Sequence, residues 1–203
     1  DIDSSTLTYS VSSNDNVSTS IDGNILYVTG NQDFNGSLSL DVTVSDGELS
    51  ATQSLAVSIT PVNDAPVLSL VSDVSFDEDG SGSTSLSADD VDGDDLTYSI
   101  SGGSDITAEL TGSDVTFGAP ADYNGSETFS ISVSDAEYTD SQSITVTVNA
   151  VNDAPTANVA SGATNEDQST VIALSGSDID GDNLTFSLDT DASNGSVTLD
   201  GSL

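Results

Sequence analysis

The stretch Glu127–Asn149, ETFSISVSDAEYTDSQSITVTVN, decides the fold. Phe129, Ile131 and Val133 alternate with Thr or Ser, and Ile144, Val146 and Val148 alternate with Thr in the same way. A period of two puts all the apolar side chains of a strand on one face, so Glu127–Ser134 and Ser141–Asn149 read as strands half-buried in a sheet. Ser83–Ala88, Leu96–Ser101 and Asp114–Phe117 alternate likewise, and Val67–Val71 and Ile106–Leu110 are weaker candidates. Helical periodicity is absent. Turn signals at Gly102–Gly103, Thr111–Gly112 and Asn124–Gly125 punctuate these runs at the intervals of an all-β sandwich. One apolar face per strand is what two packed antiparallel sheets require. Tyr98, with Tyr9 and Phe186 as counterparts, is expected as a bulky core residue.

The chain repeats itself. VNDAP stands at Val62–Pro66 and again at Val151–Pro155, an offset of 89 residues. DVDGDDLTYSI at Asp90–Ile100 returns as DIDGDNLTFSL at Asp178–Leu188, an offset of 88. A weaker copy, DIDSSTLTYSV, occupies residues 1–11, 89 residues before Asp90. QDFNGS at Gln32–Ser37 and VSDGE at Val44–Glu48 match ADYNGS at Ala121–Ser126 and VSDAE at Val133–Glu137. Shared periods of this length mark tandem modules. The expected frame is the C-terminal part of one repeat at 1–64, a complete repeat at 65–153 and the N-terminal part of a third at 154–203. The two partial repeats, and a first residue that is Asp and not Met, read as a piece of a longer array.

Composition narrows the function. The 203 residues hold 35 Asp and Glu and no Lys, Arg or His, a formal charge of −35. Only Glu48, Glu78, Glu109, Glu127, Glu137 and Glu166 are glutamates, and aspartate prefers turns to helix interiors. No carboxylate can be neutralised by a side-chain cation, so something external must screen them. Phosphate contacts to nucleic acid and attraction to an anionic membrane both need Lys or Arg. Histidine triads, Schiff-base lysines and Cys/His zinc sites are excluded outright. No apolar run reaches transmembrane length, so direct membrane insertion is not expected. A chain that is 34% hydrophobic in alternating β-branched runs also argues against disorder.

The acids gather at two recurring places, the segments joining repeats and the loop before the DLTYSI strand. Asp90, Asp92, Asp94 and Asp95 lie together, as do Asp178, Asp180, Asp182 and Asn183. Alternate carboxylates around Gly93 or Gly181 have the spacing of a calcium loop, in which a tight glycine turn lets oxygens converge on a hard cation. Asn63–Asp64 and Asn152–Asp153 recur beside them. Asp77, Asp79, Asp89 and Asp95 read equally well as solvated turn residues.

ADDVDGDDLTYSI, DYNGSETFSISVSD and ITVTVNAVNDAP, in that order, resemble the cadherin-like repeats of large bacterial surface and biofilm adhesins. The resemblance implies seven-stranded Ig-like sandwiches arranged end to end, with calcium ions at the junctions. It implies that Asn63, Asp64, Asp90, Asp92 and Asp135 serve the first junction, and Glu78, Asn152, Asp153, Asp178 and Asp180 the second. Asp94 and Asp182 extend the two loops. Asp33 and Asn35, then Asp122 and Asn124, stand where an acidic loop of animal cadherins would be. Asp1, Asp3 and Asp46 would serve a further junction.

The expected function is a non-enzymatic, calcium-rigidified extender of a secreted or cell-surface adhesin or matrix fibre, whose partners are neighbouring repeats of the same chain. Two alternatives are carried with it. One is a filament subunit that joins copies of itself by strand complementation, and the other is a carbohydrate- or protein-binding sandwich. Catalysis by paired carboxylates is disfavoured because the acids recur in every repeat.

Overall fold

The computed structural model describes residues 6–200, and every regular element among them is a strand. In chain order these are β1 (Thr8–Val11), β2 (Val17–Asp22), β3 (Ile25–Gly30), β4 (Gly36–Ser45) and β5 (Ser50–Ile59). Next come β6 (Val67–Leu68), β7 (Val74–Asp77), β8 (Ser81–Ser85), β9 (Ala88–Asp89), β10 (Thr97–Gly102), β11 (Thr107–Thr111) and β12 (Asp114–Gly118). The last are β13 (Gly125–Ser134), β14 (Thr139–Asn149), β15 (Thr156–Ala157) and β16 (Gly176–Ser177). The chain divides into two compact units, the first drawn from Asp1–Val71, Leu86–Ile100 and Ser130–Gln142, the second from the remaining segments.

In the first unit β1, β4 and β5 form an antiparallel sheet, β2 and β3 a hairpin, and β6 pairs with β9. Its buried side chains include Val17, Leu40, Leu68, Val71, Leu86, Ile131 and Val133. Asp140 accepts a hydrogen bond from the Leu68 amide at 2.9 Å, and the Gln142 side chain donates to Val71 O at 2.9 Å and accepts from its amide at 3.1 Å. In a chain without cations, backbone N–H groups are the positive ends available to carboxylates.

Tyr9 departs from the sequence expectation. It is 39% exposed, and Tyr98 and Phe186 are half-buried. Tyr9 lines an open apolar face with Val42, Val44, Ala51 and Leu55. Alternation assigns a residue to a face but does not say whether that face is covered.

The second unit contains the antiparallel sheet β11-β12-β8 and the parallel pairing of β14 with β7. Strands β10, β13, β14 and β7 follow one another in a single sheet. Phe117 of β12 and Phe129 of β13 meet edge to face, 5.2 Å between centroids and 67° between planes, and both are buried. Ile106, Val115, Ile144, Val146, Val148 and Phe76 complete this core. The alternating apolar sets of the opening stretch are thus the inner faces of packed sheets. Two boundaries differ from expectation: the run Ser83–Ala88 leaves strand geometry at the buried Leu86, and Val67–Val71 pairs only at Val67–Leu68.

Glu127 organises the turn before β11. Its carboxylate accepts hydrogen bonds from the amides of Ser104, Asp105 and Ile106 at 2.8–3.1 Å and from the Ser104 hydroxyl at 2.7 Å. The Ser104 hydroxyl and these amides lower its pKa from an ordinary 4.5 to about 2. A depressed carboxyl pKa contributes stability above the unfolded value that is lost as pH falls toward the folded one. Glu127→Gln is therefore expected to lower Tm relative to the unmodified chain at pH 7, with the difference closing near pH 2. Paired melts at the two pH values check this.

The matched turns VSDGE and VSDAE share one construction. Asp46 Oδ1 accepts from the amides of Glu48 and Leu49 at 2.9 and 2.7 Å, and Asp135 Oδ1 from those of Glu137 and Tyr138 at 2.7 and 2.6 Å. The residue after the aspartate is left-handed in both, Gly47 at φ 103° and Ala136 at φ 84°. A Cβ in that region costs about 1–2 kcal/mol. Ala136→Gly should stabilise the protein by about 1 kcal/mol once the added freedom of the unfolded chain is subtracted, as read from urea unfolding midpoints.

Candidate metal centres

The loop after β9 is wound around one carboxylate. Asp90 Oδ1 accepts from the amides of Asp92, Gly93 and Asp94 at 2.9, 3.0 and 3.4 Å, and Gly93 makes the turn at φ 77°. The winding brings one oxygen each of Asp90, Asp92 and Asp94 within 4.8 Å of one another. Oxygens that close can share a single ion at a calcium–oxygen distance of about 2.4 Å. Asp90 Oδ2 is buried and has no hydrogen-bond partner. A buried anionic oxygen without a donor is costly, and a cation is the partner that would satisfy it.

The linker preceding β6 closes on the same loop. The Asp64 amide donates to Asp92 Oδ2 at 2.7 Å, and Asn63 Nδ2 donates to Asp135 Oδ2 at 2.8 Å. The amides of Tyr138 and Glu137, together with Asn63, hold the Asp135 carboxyl below its ordinary pKa. Asp94 shifts upward, through desolvation first and then repulsion from Asp90, Asp92, Asp135 and Asp95. The loop therefore gathers negative charge that a proton or a cation would relieve.

A second cluster lies in the second unit. Oxygens of Glu78, Asp153 and Asp180 approach within 4.8 Å, and so do those of Asp79, Asp122 and Asp153, so that Asp153 belongs to both groups. Glu78, only 6% exposed, accepts a hydrogen bond from the Val151 amide. The Asp153 amide donates to Asp180 Oδ2 at 2.7 Å, reproducing the Asp64–Asp92 contact. Asp178 Oδ1 accepts from the Asp182 amide at 3.1 Å with Gly181 at φ 78°, as Asp90 does from Asp94. Desolvation, then the charges of Asp122, Asp180, Asp79 and Glu78, push the Asp153 carboxyl upward.

The candidates from the sequence fall into three classes. Asn63, Asp64, Asp90, Asp92, Asp94 and Asp135 come together in the first cluster by the contacts above. Glu78, Asp122, Asp153 and Asp180 come together in the second, with Asp178 and Asp182 forming the loop that carries Asp180. Asn152 bonds only its neighbour, Nδ2 to Asp153 O at 3.0 Å. Asp33, Asn35 and Asn124 are not in any acidic cluster among the described residues, and Asp1 and Asp3 lie outside those residues. Asp33 and Asp122 share a left-handed backbone, φ 59° and 58°, but only Asp122 has facing acids. Asp79, weighed as a solvated turn residue, is the addition: at φ 61° its Oδ1 accepts from the Asp122 amide at 3.4 Å.

Residues 63–147 and 152–203 each match the bacterial Ig domain family. The chain belongs to that family. Chitinase A of Pseudoalteromonas piscicida is 43% identical over 76 residues, covering 36% of this chain and 9% of that protein. Among solved structures, human protocadherin-24 EC1-2 aligns over 73% of this chain and 83% of its own at 18% identity and a TM-score of 0.48. An endo-fucoidan hydrolase of glycoside hydrolase family 107 aligns over 71% of this chain and 24% of its own at 23% identity and a TM-score of 0.35. This bacterial Ig chain therefore spans a small share of the chitinase and of the hydrolase it resembles.

Proposed function

We propose that the chain is a calcium-rigidified spacer of a secreted or cell-surface protein of the adhesin or matrix type. The observation that carries the reading is Asp90 Oδ2, a buried carboxylate oxygen without a donor, in a loop that gathers three carboxylates. The five-acid group of Glu78, Asp79, Asp122, Asp153 and Asp180 supports it independently. All-oxygen donor sets suit hard cations, and flexible loops of this kind suit calcium better than magnesium, which keeps an octahedral shell of its own waters.

In this reading Asn63 and Asp64 tie the segment 1–64 to the repeat 65–153, and Asn152 and Asp153 tie that repeat to 154–203. Bound calcium would neutralise Asp90, Asp92 and Asp94 on one side of a linker and hold Asp64 against them. Without it the like charges repel and the linker is free to bend. Metal binding is then folding energy delivered outside the cell, where calcium is plentiful. The role is mechanical and non-catalytic, and a match to only 9% of a chitinase fits an accessory module.

Small-angle scattering with calcium and with chelator tests this. The expected result is a longer, stiffer particle in calcium whose maximum dimension grows by a constant step per added repeat. Asp92→Ala should loosen the first linker and Asp180→Ala the second. A compact particle in calcium, with repeats folded side by side, would contradict the spacer reading.

A further inference from the structure

Two strand edges of the N-terminal block lie open. Among the described residues β3 pairs only with β2, and β5 only with β4. Their counterparts one repeat later are both occupied: β12 takes β8 antiparallel, and β14 takes β7 parallel. The C-terminal block carries counterparts of those two occupants, 169–173 for β8 and 162–165 for β7, at the offset of 88. Neither segment is in a strand.

The side chains on the open edge match those on the unpaired segment. In the β12–β8 ladder Thr116 faces Ser83, and Asp114 faces Ser85, whose hydroxyl donates to the carboxylate at 2.6 Å. Both pairs are polar. The corresponding positions of β3 are Tyr27 and Ile25, 52% and 53% exposed, and those of the C-terminal block are Val171, 96% exposed, and Ala173. Both partners have changed from polar to apolar together. A third pair changes in size: Phe117 faces Gly82, where a Cβ would lie 2.6 Å from the Phe76 ring. Its counterparts are Val28 and Thr170, with Thr164 in place of Phe76. A smaller residue on one strand meets a larger one on the other.

We propose that residues 162–174 of one copy of this chain dock on the N-terminal block of a second copy, with 169–173 antiparallel to β3 and 162–164 parallel to Val57–Ile59 of β5. The register sets Tyr27 opposite Val171, Ile25 opposite Ala173, Leu26 opposite Ile172 and Val28 opposite Thr170. Main-chain hydrogen bonds supply the attraction, and the apolar cross-strand pairs fix the register. The contact is head to tail, so each bound copy leaves another donor segment and another open edge, and association propagates. It needs no cation and stands apart from the spacer reading.

Sedimentation equilibrium of the 203-residue chain in chelator, over micromolar to millimolar concentration, tests it. The weight-average mass is expected to rise with concentration. Val171→Asp places a charge opposite Tyr27 at a residue that is exposed within its own block; an unchanged circular dichroism spectrum verifies that the variant folds. It should weaken association at least tenfold. A peptide with the sequence of residues 160–176 should return the chain to monomer, whereas a peptide of residues 72–87, with Gly82, Ser83 and Ser85 at the contact, should not. A monomer at every concentration, association insensitive to both the variant and the peptide, or association that appears only with calcium would overturn the proposal.

Discussion

Calcium added to the metal-free protein is expected to raise Tm strongly, and magnesium to raise it far less. At a hundredfold excess over its dissociation constant, one independent site adds about 2.7 kcal/mol, which for a chain of this size is roughly 5–10 °C. The first cluster starts from an unfavourable state, with Asp90 Oδ2 buried and unpaired and Asp94 driven upward by desolvation and its neighbours. Asp94→Asn removes one of the repelling charges and also one ligand. The variant should melt above the unmodified chain in chelator and below it in saturating calcium. A group whose folded pKa is raised opposes folding at neutral pH, and that penalty is relieved as pH falls into its titration range. The chelated protein should therefore lose part of its advantage over Asp94→Asn as the solution is acidified, and calorimetry under the three conditions checks the sequence of signs.

Phe117→Ala should cost about 3–5 kcal/mol, the range for truncating a buried aromatic ring. Phe117 has no exposed surface and meets Phe129 edge to face, and such a pair adds about 0.5–1.5 kcal/mol beyond area burial. The loss should be equal with calcium and with chelator, since the ring lies in the sandwich core and touches no acid cluster. Urea unfolding followed in both conditions reads it. A loss present only in calcium would mean that the sheets do not pack without the metal.

The fold was legible wherever the alternation ran long. Phe129, Ile131 and Val133, with Ile144, Val146 and Val148, are all buried, because nothing but a packed sheet makes use of six apolar residues at period two. The short β7 gave no such signal: Val74 and Phe76 alternate over four residues between Asp73 and Asp77, too few for a period to emerge. Tyr9 reads the same as Tyr98 in sequence but lines an open face, since cover is supplied by residues far away in the chain.

The same division runs through the acidic clusters. Asp90, Asp92 and Asp94 form a local loop, and the D-x-D-G spacing contained it. Asp79 meets Asp122 across 43 residues, and each looks like an ordinary turn residue in its own segment. QDFNGS and ADYNGS likewise encode the same left-handed aspartate at Asp33 and Asp122. A motif specifies its own backbone; which acids face it is decided by the fold.

The central claim is that the two clusters are separate calcium centres, and equilibrium calcium binding to the metal-free chain tests it most directly. Isothermal titration would compare the unmodified chain with Asp90→Asn, in the first cluster, and Glu78→Gln, in the second. The account predicts that each variant loses one class of sites and keeps the other, and that the double variant loses both. Full binding in the double variant, or no binding to the unmodified chain at millimolar calcium, would contradict it.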